Sequence, residues 1–64
     1  MKKLTVDYTP HVVRRVTIEV PDDVDEKHLN PYDWYEEISD AVERGEGYEL
    51  ESVSYYDVDF VSLD

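Results

Sequence analysis

The apolar residues of this chain change their spacing twice, and that change limits the folds that the chain can adopt. Near the start they recur at every second residue, so Leu4, Val6 and Tyr8 lie on one face of a predicted first strand. Pro10 then suits a turn, and a second strand is predicted over residues 12–20. The first third of the chain therefore predicts a β-hairpin.

The second predicted strand carries one charged residue on its apolar face. Val16, Ile18 and Val20 share that face, and Arg14 has the same parity. Two explanations fit this pattern. Either Arg14 lies past the end of the core, or a bulge near Val13 turns it outward.

Signals for the start of a helix follow the hairpin. Asn30 can cap free backbone N–H groups, and Pro31 suits the first helical position. Leu29 and Trp34 occupy the two positions that form a hydrophobic staple around such a cap. Apolar residues then recur at helical spacing, which predicts an amphipathic helix over residues 31–44.

Strand-like alternation returns in the last third of the chain at five positions: Tyr48, Leu50, Tyr56, Val58 and Phe60. A single strand through all of them would be unusually long. Either a bulge or bend lies within Ser52-Val53-Ser54, or the segment breaks into two shorter strands.

This order of elements predicts a small, single α+β domain that spans residues 1–64 in the order ββαβ. A chain of about 60 residues buries only about 60% of its unfolded surface, so there is room for one domain and no deep cavity. If the helix crosses back over the hairpin, the last strand lies antiparallel beside the first. We therefore expect a three-stranded antiparallel sheet with one helix packed on one face.

Tyrosine is abundant, with six residues in the chain. Parity places three of them in the core: Tyr8, Tyr48 and Tyr56. The remaining three are expected to be exposed: Tyr32, Tyr35 and Tyr55. Tyr55 lies among acids, and tyrosine is a residue type that dominates interfaces, so Tyr55 is a predicted contact residue.

Charge is distributed unevenly along the chain. Residues 1–20 contain four bases and two acids, net +2, whereas residues 21–64 contain two bases and fifteen acids, net −13. The total of −11 exceeds the magnitude of about 2–8 that keeps a small domain soluble, and it destabilises the fold through self-repulsion. An acidic binding surface is therefore the leading hypothesis.

The predicted elements arrange most of the acids into three groups. Five lie on the polar side of the helix and are called the acidic stripe below: Asp33, Glu36, Glu37, Asp40 and Glu43. The loop before the helix adds four: Asp22, Asp23, Asp25 and Glu26. The last segment adds two pairs spaced by two residues: Glu49, Glu51, Asp57 and Asp59. These thirteen acids and Tyr55 form the predicted partner-binding set.

Solvation of the helix and adaptation to high salt compete with a binding surface as reasons for so many acids. A charged helix face is often simply solvated, but such faces normally mix signs, and residues 33–43 contain no base. Adaptation to high salt also favours acidic proteins, and it fits the scarcity of lysine. It does not account for the basic first third of the chain.

The sequence predicts no catalytic residues, no metal site and no cofactor. Asp23 and Asp25 have the spacing that begins an EF-hand loop, but Lys27 and His28 stand where that loop needs different residues. There is no cysteine for a disulfide or a thiolate site. The serines lack the flanking glycines of a nucleophile elbow. A non-enzymatic binding protein is therefore expected.

In size and charge the whole chain resembles the small, acidic, phage-encoded inhibitors of bacterial defence systems, which include anti-restriction and anti-CRISPR proteins that act as DNA mimics. The resemblance rests on the acidic stripe, the acidic loop and the acidic last segment, without a diagnostic motif. Such proteins have unrelated folds, so the resemblance implies a mode of action in the cytoplasm of a bacterial host cell and not a particular target.

The expected function is inhibition of a nucleic-acid-binding defence complex of the CRISPR-Cas or restriction type. The chain would compete for the basic groove of that partner and would not bind nucleic acid itself. The alternative is a small acidic adaptor or structural protein that acts through protein contacts, or as a homodimer joined at an exposed strand edge. No run of 18 apolar residues is present, so no membrane contact is expected.

Overall fold

An antiparallel sheet and one α-helix form the fold, in a computed structural model that describes residues 1–51, 53 and 55–64. The strands are β1 (Lys2–Tyr8), β2 (Arg14–Val20), β3 (Tyr48–Glu49) and β4 (Val58–Leu63). The helix α1 (Tyr35–Glu43) follows two 3-10 turns, Glu26–His28 and Pro31–Trp34. The strands lie in the order β3-β2-β1-β4, with β1 and β2 in the centre. The predicted α+β class is confirmed.

The predicted hairpin is present, with β1 and β2 paired antiparallel from Lys2 opposite Val20 to Tyr8 opposite Arg14. Burial alternates along both strands as the parity predicted, and Leu4 and Val6 are fully buried. These inner side chains form the core with Ile38 and Ala41 of α1, so the helix covers one face of the sheet.

Arg14 stays on the apolar face, at the end of the core. The pairing of β1 with β2 is regular through Arg14, so no bulge turns it outward. Its guanidinium donates hydrogen bonds to the carbonyl oxygens of Glu46 and Gly47, at 3.0 and 3.2 Å. β2 begins at Arg14 and not at residue 12, because Val12 and Val13 belong to the connection from β1.

The predicted helix start is confirmed at Asn30, whose side-chain oxygen accepts a hydrogen bond from the backbone N–H of Tyr32 at 3.1 Å. The first turn, however, is a 3-10 turn, and α-helical geometry begins only at Tyr35. Trp34, at φ −107° and ψ 16°, separates the two parts. The α-helix is therefore shorter than the predicted 31–44, although its buried face is as expected, with Ile38 and Ala41 in the core.

The sheet has four strands where three were predicted. The last third of the chain is divided into β3, which pairs with β2 at Arg14 and Arg15, and β4, which pairs with β1. These two strands lie on opposite edges of the sheet, so the structure supports the break into two shorter strands. The bend predicted at 52–54 falls partly on Ser52 and Ser54, which lie outside the described residues.

Two of the three tyrosines predicted in the core are exposed. Tyr8 is 7% exposed, but the exposed fractions of Tyr48 and Tyr56 are 57% and 61%. Tyr48 lies opposite Arg15, whose side chain is on the outer face of the sheet, and Tyr56 precedes β4. Parity failed here because it gives neither the register of β3 against β2 nor the residue at which β4 begins. Tyr32, Tyr35 and Tyr55 are exposed as predicted.

Candidate protein-interaction surface

All fourteen residues of the predicted partner-binding set are exposed: Asp22, Asp23, Asp25, Glu26, Asp33, Glu36, Glu37, Asp40, Glu43, Glu49, Glu51, Tyr55, Asp57 and Asp59. The described residues include no buried charged side chain. The acids are therefore available to a partner, and the fold determines which of them can be reached from one side.

Four acids of the acidic stripe lie on the solvent side of α1, whereas the fifth, Asp33, lies in the 3-10 turn that precedes it. Ile38 and Ala41 point into the core, and the five carboxylates of the stripe are all exposed. No ion pair joins any of these five carboxylates to another described residue. The stripe therefore carries negative charge that no ion pair within the described part of the chain neutralises.

The loop before the helix brings further acids to the start of the stripe. Asp25 and Asp33 line one shallow cavity of about 220 Å³, together with Leu29 and Trp34. Asp25 also accepts hydrogen bonds from the backbone N–H of Lys27 and from the ring of His28, at 3.0 and 3.1 Å. These bonds fix the turn that carries Asp25, and the shared cavity joins the two acidic groups.

Asp57 also lies near the helix start, beside a pair of tyrosines. The hydroxyl groups of Tyr8 and Tyr35 are 3.1 Å apart, and their rings meet edge to face with centroids 5.5 Å apart. The pKa of Tyr35 is raised, chiefly by the hydrogen bond with Tyr8 and in small part by the negative charge of Asp57. Asp57 therefore contributes to the field on the helix side of the molecule.

Several other predicted contact residues lie away from the acidic stripe. Asp59 pairs with Asp7 of β1, on the outer face of the sheet and away from the helix. Glu49 lies in β3, with its carboxylate 3.8 Å from the guanidinium of Arg14. Tyr55 is 94% exposed in the connection between β3 and β4. The structure therefore brings Asp25 and Asp57 to the start of the acidic stripe, but it does not place all fourteen residues on one surface, and Asp22 is paired with the amino group of Met1 at 3.1 Å.

The cations of the hairpin mostly contact the chain's own groups. Lys2 donates to the carbonyl oxygen of Val24 at 2.7 Å, and Arg15 binds Asp7 through two hydrogen bonds of 2.9 and 3.3 Å. The bond with Asp7 is the largest cause that raises the pKa of Arg15. With Arg14 bound to the loop after the helix, three of the four hairpin cations are already engaged. Hairpin register alone could have revealed the pair of Asp7 and Arg15, since they lie opposite each other.

The described part of the chain offers neither a metal cluster nor a membrane-spanning helix. Residues 1–51, 53 and 55–64 contain no group of three or more His, Asp or Glu residues that could hold a metal ion. Among the same residues, no helix is both long and apolar enough to span a bilayer.

Comparison of the chain with protein families, with curated proteins and with solved structures found no match.

Proposed function

We propose that this protein inhibits a bacterial nucleic-acid-binding defence complex by occupying its basic groove as an acidic mimic of DNA. The observation that carries the proposal is the acidic stripe: five exposed carboxylates with no ion-pair partner among the described residues. Repulsion among these acids is left unrelieved, which a partner of opposite charge would correct.

The run of like charges along the stripe supports mimicry of a polyanion. Helical residues three or four apart have Cβ atoms about 5–6 Å apart, and a DNA duplex presents about one negative charge per 1.7 Å of its axis. Proteins that bind a duplex meet these charges with arrays of Lys and Arg. Asp25 and Asp57 add charge near the helix start, so the same arrays would meet further carboxylates there.

The target would be sought in a bacterial lysate with the immobilised protein, at low and at high salt. A nucleic-acid-binding complex should be retained at low salt and released by excess duplex DNA, because both ligands would occupy one groove. Retention that excess DNA does not reduce, or recovery of this protein alone, would contradict mimicry. Recovery of this protein alone would favour the adaptor or homodimer hypothesis.

Two variants with equal changes in charge test whether the helix side makes the contact. We expect the double variant Glu36→Gln and Glu43→Gln to weaken binding to the captured complex by about tenfold or more, since it removes two charges of the stripe. The matched control, Asp59→Asn and Asp64→Asn, removes two charges from residues that pair with Asp7 and Lys3, both on the outer face of β1. It should weaken binding much less. Equal losses in binding assays would show that net charge, and not the stripe, determines affinity.

A further inference from the structure

One edge of the sheet is only partly covered. β3 has two residues and pairs with β2 at Arg14 and Arg15 alone. Within the described part of the chain, no strand lies beside residues 16–20 on that side of β2. At about 3.4 Å per residue, this free edge is about 17 Å long.

Backbone groups on the free edge point outward and lack strand partners. The N–H of Leu50 donates to the carbonyl oxygen of Val13 at 2.8 Å, on the β3 side of β2. Hydrogen-bonding direction alternates along an antiparallel strand, so Thr17 and Glu19 direct their N–H and C=O groups to this same side. In the described residues these groups have no β-ladder partner, which makes the edge a template for another strand.

A groove of about 550 Å³ runs beside this edge and is bounded by the helix. Thr17 and Ile18 of β2 line one side, and Glu37 and Asp40 of α1 line the other. Two more acids line the groove: Glu19 and Glu46. Its cations are Lys3 and Arg44, and Arg44 is already bound to Glu46 at 2.8 Å, so the groove has an excess of negative charge.

We propose that this groove binds an extended, basic segment of a partner protein, which adds to the sheet as an antiparallel strand beside β2. The backbone of the segment would pair with Thr17 and Glu19. Its side chain opposite Ile18 would face the helix, where a Lys or Arg can pack its stem on Ile18 and place its charge near Glu37 and Asp40.

Charge favours this occupant over a second copy of the chain. Each copy carries a net charge of −11, and pairing two β2 edges would bring two acidic grooves together. The groove shares Glu37 and Asp40 with the acidic stripe, but the proposal also requires the strand edge, which mimicry does not use. Mimicry is tested at Glu36 and Glu43, which do not line the groove, so the two proposals can fail independently.

The probe is a synthetic peptide, acetyl-Lys-Thr-Lys-Thr-Lys-Thr-Lys-amide, added to the full chain at low salt. Amide hydrogen exchange should slow by about tenfold or more at Thr17 and Glu19, whose N–H groups gain partners. The amides of Val16 and Ile18 already face β1, so their exchange should change little. An acidic peptide with Glu in place of Lys should leave amide exchange unchanged at all four of these residues.

Two controls separate strand addition from simple attraction between charges. Methylation of alternate backbone nitrogens in the basic peptide, on the edge that pairs with β2, should abolish the protection of Thr17 and Glu19. The double variant Glu37→Lys and Asp40→Lys should weaken binding by about tenfold, whereas Glu36→Lys and Glu43→Lys, with the same change in charge, should weaken it less. Circular dichroism would establish that both variants fold.

Three outcomes would overturn the proposal. The first is the absence of protection at Thr17 and Glu19 when the basic peptide is in excess. The second is protection that survives backbone methylation, since it would not require strand pairing. The third is a folded chain that already has the mass of a dimer at micromolar concentration and whose Thr17 and Glu19 amides are protected without peptide. That result would mean that a second copy of the chain pairs with the edge.

Discussion

Two glycines after the helix differ in what surrounds them. Gly45 and Gly47 both have positive φ, 83° and 82°, a region that costs an ordinary residue about 1–2 kcal/mol. Around Gly45 there is open space, but a Cβ at Gly47 would overlap the carbonyl oxygen of Arg15. Gly47 therefore allows the chain to approach β2 closely just before β3 begins.

Alanine substitution should reveal this difference in the free energy of unfolding. We expect Gly45→Ala to cost about 1–2 kcal/mol from backbone strain alone. Gly47→Ala should cost more than about 2 kcal/mol, because overlap with the backbone of Arg15 adds to the strain. Urea unfolding followed by circular dichroism measures both, and equal losses would contradict the close approach.

The pair of Tyr8 and Tyr35 makes a second prediction at this scale. The hydrogen bond between Tyr8 and Tyr35 raises the pKa of Tyr35, so Tyr8→Phe should lower that pKa toward its ordinary value of about 10. A raised pKa in the folded state stabilises the fold below the unfolded pKa, and this contribution is lost as pH rises through the folded pKa. NMR titration of the Tyr35 ring checks the shift, and an unchanged curve in the variant would contradict it.

At the scale of elements, the sequence predicted what depends on nearby residues. The hairpin, its buried face and the cap at Asn30 follow from parity and from local hydrogen bonding, and all three are present. The two-residue strand β3 could not be predicted, because its place is determined by distant contacts. The guanidinium of Arg14 donates hydrogen bonds to the carbonyl oxygens of Glu46 and Gly47, and the backbone N–H of Leu50 donates to the carbonyl oxygen of Val13.

β4 shows a second limit of parity at this scale. Thr5 lies opposite Ser62 and Val6 opposite Phe60, so the pairing with β1 shifts by one residue between these positions. Phe60 and Leu63 therefore both pack against the core although their parities differ. Exposure of the acids in the candidate site followed from residue type alone, whereas the separation of Asp59 from the acidic stripe required the sheet order.

At the scale of the whole molecule, distance limits how far its charges act together. The domain measures 31 × 24 × 17 Å, and the Debye length at physiological ionic strength is about 8 Å. Charges on opposite faces are therefore largely screened from one another. A partner on the helix side would respond chiefly to the acidic stripe and its neighbours, which is why the two matched pairs of neutralising substitutions should differ in effect.

The free edge of β2 also has a consequence for colloidal stability. An uncovered edge can join one folded molecule to the next, and the net charge of −11 opposes this at neutral pH. The isoelectric point lies near pH 4.3, where that opposition ends. We expect light scattering to report assembly of folded chains as the pH approaches that value. Thr17→Lys, which places a charge on the edge, should reduce assembly when each chain is compared at its own isoelectric point. Scattering that stays flat, or that is identical in the variant, would contradict this role of the charge. The expected result would mean that the acidity of the chain prevents copies of it from pairing through the free edges of their sheets.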